Sequence, residues 1–123
     1  MMIRTPISVG ELIDKITILR LKRELITDEV KRANVLRELA LLEELSQQLD
    51  WREIELLTQD LARVNRELWH IEDFKRSCER KSKFDNEFVE AARRVYIYND
   101  LRAELKRQIN LKTNSEIIEE KSY

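Results

Sequence analysis

One glycine and one proline in 123 residues leave little room for any fold that depends on tight turns. Hairpin corners need Gly, Asn-Gly or Pro-Gly punctuation, and the chain has no such dipeptide. Leu, Glu, Arg, Lys and Ala dominate instead, the residues that lose least on entering a helix. The sequence therefore predicts an all-α fold. Its 38% charged content suits narrow helices with much solvated surface for the core they enclose. The length fits one domain, residues 1–123, able to bury a core without disulfides or metals.

Cys78 stands alone, so no intramolecular disulfide forms, and a reducing, cytoplasmic location is the expectation. The opening MMIRTPISVG has no apolar run of the signal-peptide kind. No stretch approaches the ~18 uncharged apolar residues of a membrane span. The net charge of −1 argues against nucleic acid as a partner. Charge is sorted along the chain: residues 1–23 carry 5 basic and 2 acidic groups, 24–73 carry 6 and 13, and 74–123 carry 12 and 9. The densest basic run is KRSCERKSK (75–83). Side-by-side packing of complementary helices accounts for this sorting; an anion-facing patch is the alternative.

Four helices follow from capping and periodicity. Pro6 keeps Thr5 out of a helix. Ser8-Val9-Gly10-Glu11 is a capping box opening a first helix over 9–26. Thr27-Asp28-Glu29 starts a second, over 28–49, with acids where the helix dipole favours them. Asp50-Trp51-Arg52-Glu53 starts a third, over 51–81, unless the second and third run on through Asp50. Asp85 caps a fourth, over 86–111, and Thr113-Asn114-Ser115 leads into a short acidic tail. Short connections make this an antiparallel bundle. Trp51, Ile54, Leu57, Leu61, Val64, Leu68 and Ile71 form a seam with coiled-coil-like spacing along the third helix. The first helix carries two stripes instead: Leu12, Ile16 and Leu19, and, nearly opposite, Ile18, Leu21 and Leu25. A helix apolar on two sides sits centrally or at a subunit interface.

Several polar residues fall inside these apolar arcs at about 100° per residue. Asp14 shares the stripe of Ile18, Leu21 and Leu25. Asn65 and Glu72 lie on the side of Ile54, Leu61 and Leu68. On the fourth helix, Asn99, Arg102, Lys106 and Asn110 fall within the arc of Phe88, Ala92, Val95, Leu105 and Ile109. Burying such groups unpaired costs several kcal/mol each, in round terms. The expectation is mutual pairing of Asp14 and Glu72 with Arg102 and Lys106, either as a network fixing helix register or as the lining of a ligand cleft.

Other candidates carry less. Glu67 and His70 have the Glu-x-x-His spacing of di-iron bundles, but such sites need two copies and further carboxylates, and His70 is the one histidine. Cys78 lies among Lys75, Arg76, Arg80 and Lys81, which favours thiolate, yet it reads as a surface or edge thiol. Trp51, Trp69, Tyr96 and Tyr98 read as core or interface residues. No Ser/His/Asp set, glycine-rich phosphate loop or Cys-x-x-Cys pair is present. No cofactor, metal or catalytic residue is assigned.

The segments ISVGELIDKITIL (7–19), NRELWHIED (65–73), VYIYNDLRAELKRQIN (95–110) and EEKSY (119–123) together resemble one small bacterial domain-of-unknown-function family of similar length. That resemblance spans nearly the whole chain and implies a bacterial, cytosolic, stand-alone domain, with no chemistry attached. Separately, ELIDKITILRLKREL (11–25) is similar to the first helix of the all-helical chorismate mutases, with their Ile-Asp-x-Ile pattern. This fainter likeness implies a dicarboxylate held electrostatically between helices, for which Arg23, Arg102 and Lys106 are the candidates.

Two functional readings follow. The first is a non-catalytic module that self-associates, most simply as a C2 homodimer covering the second stripe of the first helix, or binds a protein partner. The second is a site for a small anionic ligand, enzymatic or not, held by Asn99, Arg102 and Lys106. In that site Asp14 or Glu72 orients the cations or acts as an acid–base group.

Overall fold

The computed structural model describes all 123 residues. Four helices account for the regular structure: α1 (Val9–Leu25), α2 (Glu29–Ser46), α3 (Trp51–Arg80) and α4 (Asn86–Lys112). There are no strands, and the all-α bundle expected from composition is what forms. Each helix begins on the residue that the sequence marks. Ser8 Oγ accepts from the Glu11 amide at 3.1 Å, Asp28 from Lys31, Asp50 from Arg52 and Asp85 from Phe88. These bonds satisfy amides that have no partner within the helix.

The helix ends depart by a few residues. α2 stops at Ser46 rather than 49: the Gln47 and Leu49 amides donate three residues back, to the Glu44 carbonyl at 3.2 Å and the Ser46 carbonyl at 3.1 Å, and the Trp51 indole also donates to Ser46 at 3.1 Å. Asp50 lies in extended backbone with ψ of 95°, so α2 and α3 are separate helices and not one. α3 and α4 end on left-handed residues, Ser82 and Asn114. In both, the amide beyond donates six-to-one, Lys83 to Cys78 at 2.9 Å and Ser115 to Asn110 at 2.9 Å, closing the helix in a Schellman turn.

Helix α1 is central. It packs against each of the other three, whereas the α2 backbone approaches α1 alone. Its first stripe, Leu12, Ile16 and Leu19, joins Val35 and Leu39 of α2, Ile54 and Leu61 of α3 and Ile109 of α4 in one buried core. Each such side chain contributes about 1.5–3 kcal/mol by leaving water. The second stripe faces the α3–α4 pair: Leu21 is buried, and it lines a groove there with Ile18. The two-sided pattern is thus satisfied within one chain, and no subunit interface is needed to explain it.

At 1.5 Å per residue, α3 is about 45 Å long and α1 about 26 Å, so the far end of the α3–α4 hairpin extends beyond α1. That end has a minor core of Ile71, Cys78 and Ala91, outside the main cluster. Cys78 is 4% exposed, and so is not the surface or edge thiol expected from sequence. A buried thiol is shielded from reagents. The native protein should react with Ellman's reagent at least tenfold more slowly than the urea-unfolded chain; equal rates would mean this end of the hairpin opens freely. No helix is long and apolar enough to cross a membrane.

Candidate functional site

The polar residues of the first helix and the fourth meet where α1 and α4 run antiparallel. Asp14, 1% exposed, is the centre of the cluster. Its Oδ1 accepts from Arg102 Nε at 3.0 Å and from Asn65 Nδ2 at 2.9 Å, and its Oδ2 accepts from Arg102 Nη2. The Arg102 contact is thus a two-point fork, the planar arrangement that guanidinium and carboxylate favour. Asn65 Nδ2 also donates to Thr17 Oγ1 at 2.9 Å, and that hydroxyl donates to the Asp14 carbonyl at 2.8 Å. No buried side-chain nitrogen or oxygen lacks a partner. The Asp14 hydrogen bonds hold the Arg102 guanidinium above its ordinary pKa, against the opposing effect of its burial.

One turn along α4, Lys106 Nζ donates to Glu11 Oε2 at 2.6 Å and to Glu119 Oε2 at 3.3 Å, and lies 3.8 Å from Asp14 Oδ2. A further turn on, Asn110 Oδ1 accepts from the Gly10 amide at 2.6 Å. Ser115 Oγ then accepts from the Val9 amide at 3.1 Å. Two free amides at the start of α1 are thus capped by the far end of α4 and the turn after it.

The segment after α4 folds back along that helix. Glu119 reaches Lys106, Glu120 pairs with Arg107 at 3.1 Å, and Lys121 pairs with Glu119 at 2.7 Å. Hydrogen bonding from Lys121, then the charge of Lys106, hold the Glu119 carboxyl below its ordinary pKa. A depressed carboxyl stabilises the docked segment above the ordinary value of 4.5, and that contribution is lost as pH falls through the folded value. Acidification from neutrality to below 4.5 should therefore release residues 116–123 while α1–α4 remain folded. The Ile117 and Ile118 methyl NMR resonances, from side chains 41% and 37% exposed in the docked segment, moving to random-coil positions before global unfolding would show it; unfolding of segment and bundle in one step would refute it.

The seven residues singled out from sequence do not all converge. Asp14, Asn65, Arg102 and Lys106 form the network, and Asn110 extends it. Glu72 does not take part; it pairs instead with Lys75 at 3.5 Å on its own helix. Asn65 is level with Asp14 and Arg102, and Glu72 lies two turns, about 10.5 Å, further along α3. Because α4 is antiparallel, that displacement carries Glu72 away from Lys106. Asn99 is exposed, and Arg23 stands exposed near the far end of α1, away from Lys106. Unforeseen members are Gly10, Glu11, Thr17, Ser115 and Glu119. The signal for Gly10 was slight: a glycine in the first turn of a helix costs about 1 kcal/mol relative to alanine and so asks for a packing reason.

Beside the network, α1, α3 and α4 enclose an open groove of about 440 Å³. Ile18, Leu21, Leu68, Trp69 and Val95 are its apolar residues, and Asn65, Glu72, Asn99 and Arg102 are among its polar ones. Arg102 spends Nε and Nη2 on Asp14, and its Nη1 takes no partner in the chain. Lys106 and Asn110 line a different hollow, against the segment after α4.

Fold and site together define an all-α bundle whose central helix is tied to α3 and α4 by a buried carboxylate–guanidinium–amide network. The chain belongs to DUF6165, a family of unknown function whose model matches residues 3–123. Neither the curated proteins nor the solved structures include a match.

Proposed function

We propose that this chain is a non-catalytic helical module, bacterial and cytoplasmic, that acts by presenting the outer face of its α3–α4 pair to another protein surface. One observation carries the reading. Ile97 and Leu101, at consecutive turns in the middle of α4, are 44% and 48% exposed. Nine residues, about two and a half turns, separate Ile97 from Lys106 and Leu101 from Asn110, so both apolar side chains stand opposite the residues that meet α1. On α3, Leu56 and Phe74 are exposed too, and eighteen residues is about five whole turns, so they share one face. Phe74 shares a hollow with Glu90 and Arg94 of α4, which puts that face beside the Ile97–Leu101 stripe. Apolar residues clustered on a face that no helix covers suit an interaction surface. The network of Asp14, Asn65, Arg102 and Lys106 holds the helices that build this face, and its charges are already matched to one another. Sedimentation velocity across the micromolar range, together with affinity capture on wild-type and Leu101→Glu protein, tests the proposal. Capture by wild type alone, or association lost in the variant, is the expected result; identical behaviour of the two would overturn it.

The groove supports a second reading, a site for a small carboxylate with an apolar body. There the spare Arg102 Nη1 and the Asn99 amide bind the anion, and Trp69 and Leu68 take the apolar part. Dicarboxylate metabolites should then raise the melting temperature of wild type and not of Asn99→Leu. Equal or absent shifts would remove this reading.

A further inference from the structure

The outer stripe of α4 is self-complementary, and we infer that its partner is a second copy of this chain, packed with the two α4 helices antiparallel about a two-fold axis level with Asn99. This rests on the interaction-surface reading and names the occupant.

At helical spacing, Glu90, Arg94, Ile97, Leu101, Glu104 and Gln108 fall on one side of α4, within a ~100° arc. Two features of their order matter. The apolar pair is at the middle, and the charges beyond it differ in sign: Arg94 on one flank, Glu104 on the other. A parallel partner in register would set Arg94 against Arg94 and Glu104 against Glu104. An antiparallel partner does the reverse. A two-fold axis level with residue 99 brings Ile97 of one copy against Leu101 of the other, and Arg94 against Glu104, each pair occurring twice. Glu90 then meets Gln108, a neutral acceptor and donor, and no like charges oppose one another.

The charged groups are available for this exchange. Arg94 holds Glu67 at 3.6 Å, with both side chains 48% exposed, and its guanidinium lies 5.7 Å from the Tyr98 ring centre. Glu104 accepts only from Gln108 Nε2, at 3.2 Å on its own helix. Such surface pairs are worth little and are readily exchanged for intermolecular ones. Leu56 and Phe74 of α3, towards opposite ends of the same face, extend the apolar contact on either side. Val30, Leu41 and Leu45 of α2 are also exposed on one side of their helix, within a ~60° arc, but Leu41 and Leu45 stand at its end, with only Ser46 beyond them and no charge on that flank to match Arg37 on the other.

The test is sedimentation equilibrium on the full chain, with circular dichroism and thermal melts confirming that each variant is folded. Wild type is expected to dimerise in the micromolar range and Leu101→Glu to be a folded monomer. Arg94→Glu and Glu104→Arg should each weaken the dimer at least tenfold, since each places two like-charge contacts in it. The double variant Arg94→Glu with Glu104→Arg restores opposite charges and should recover most of that loss. A dimeric Leu101→Glu protein would overturn the inferred face while leaving self-association intact. A monomeric Leu101→Glu with no recovery in the charge-swapped double variant would overturn the antiparallel register. A wild type that stays monomeric to the highest concentration reached overturns the second copy as occupant; the wider surface reading then depends on affinity capture.

Discussion

Asp14→Ala should lower the melting temperature by roughly 10–20 °C, the largest effect of any single polar substitution in the chain. Removing one partner from a buried ion pair costs about 3–5 kcal/mol, because the remaining charge is left without compensation, and for a domain of this size 1 kcal/mol corresponds to ~4 °C. Asp14 is 1% exposed and receives three donors, two of them from Arg102, whose side chain is 30% exposed. Without the carboxylate, Arg102 keeps no hydrogen-bonded acid and only the longer-range charge of Glu11 and Glu119, while Asn65 keeps Thr17 and Lys106 keeps Glu11 and Glu119. The cost therefore falls mainly on Arg102. Replacing the pair together, Asp14→Leu with Arg102→Leu, should recover a substantial part of it, as apolar replacement of whole buried pairs does. Arg102→Met with Lys106→Met gives the opposite view: it strands the acid, and a clear drop in melting temperature is expected. Thermal melts of wild type and these three variants decide the matter. If the double Met variant melted within ~2 °C of wild type, the cations would belong to an open cleft and not to a structural network.

That network shows which parts of the molecule the sequence could reveal. Helix starts were legible because capping is local: Ser8, Asp28, Asp50 and Asp85 each accept from an amide two or three residues on. Ends were less so. The Trp51 indole that donates to the last carbonyl of α2 arrives from the next helix, and serine in left-handed backbone at 82 has no propensity signal to announce it. Burial of Asp14, Asn65 and Asn110 followed from helical phase alone, since each lies inside an apolar arc. Phase gives the side of a helix and not its height relative to its neighbours. Glu72 was placed with the cations on phase, and the antiparallel run of α3 and α4 moves it two turns away. Asn99 shares the arc of Arg102 yet is exposed, because the core beside α4 thins out toward the hairpin end. Glu11 and Glu119 escaped notice for the complementary reason. One was already accounted for as a capping residue, and the other sits in a segment with no periodicity, brought to Lys106 only by the turn at Asn114.

Gly10→Ala should destabilise the protein, although alanine is the better helix former by about 1 kcal/mol. A Cβ on Gly10 would stand 2.5 Å from the Lys106 carbonyl oxygen and 2.9 Å from Asn110 Oδ1. The first of these is backbone in the middle of a helical turn and cannot rotate aside. Relief requires α1 and α4 to separate, and separation stretches every bond between them: Gly10 amide to Asn110, Asp14 to Arg102, Lys106 to Glu11. Overpacking of this kind costs about 1–3 kcal/mol by itself, and loosening a buried polar pair adds to it, so the clash outweighs the propensity gain. We expect a fall in melting temperature of roughly 5–15 °C. Asn110→Ala separates the two contributions. By itself it leaves the Gly10 amide unpaired and should cost about 1–3 kcal/mol. Combined with Gly10→Ala it removes the 2.9 Å conflict but not the 2.5 Å one. The double variant should therefore be less damaged than the sum of the singles, yet remain below wild type. If Gly10→Ala raised the melting temperature instead, the two helices would have room for a methyl group, and the register attributed to the Asp14 network would be set by something other than their close approach.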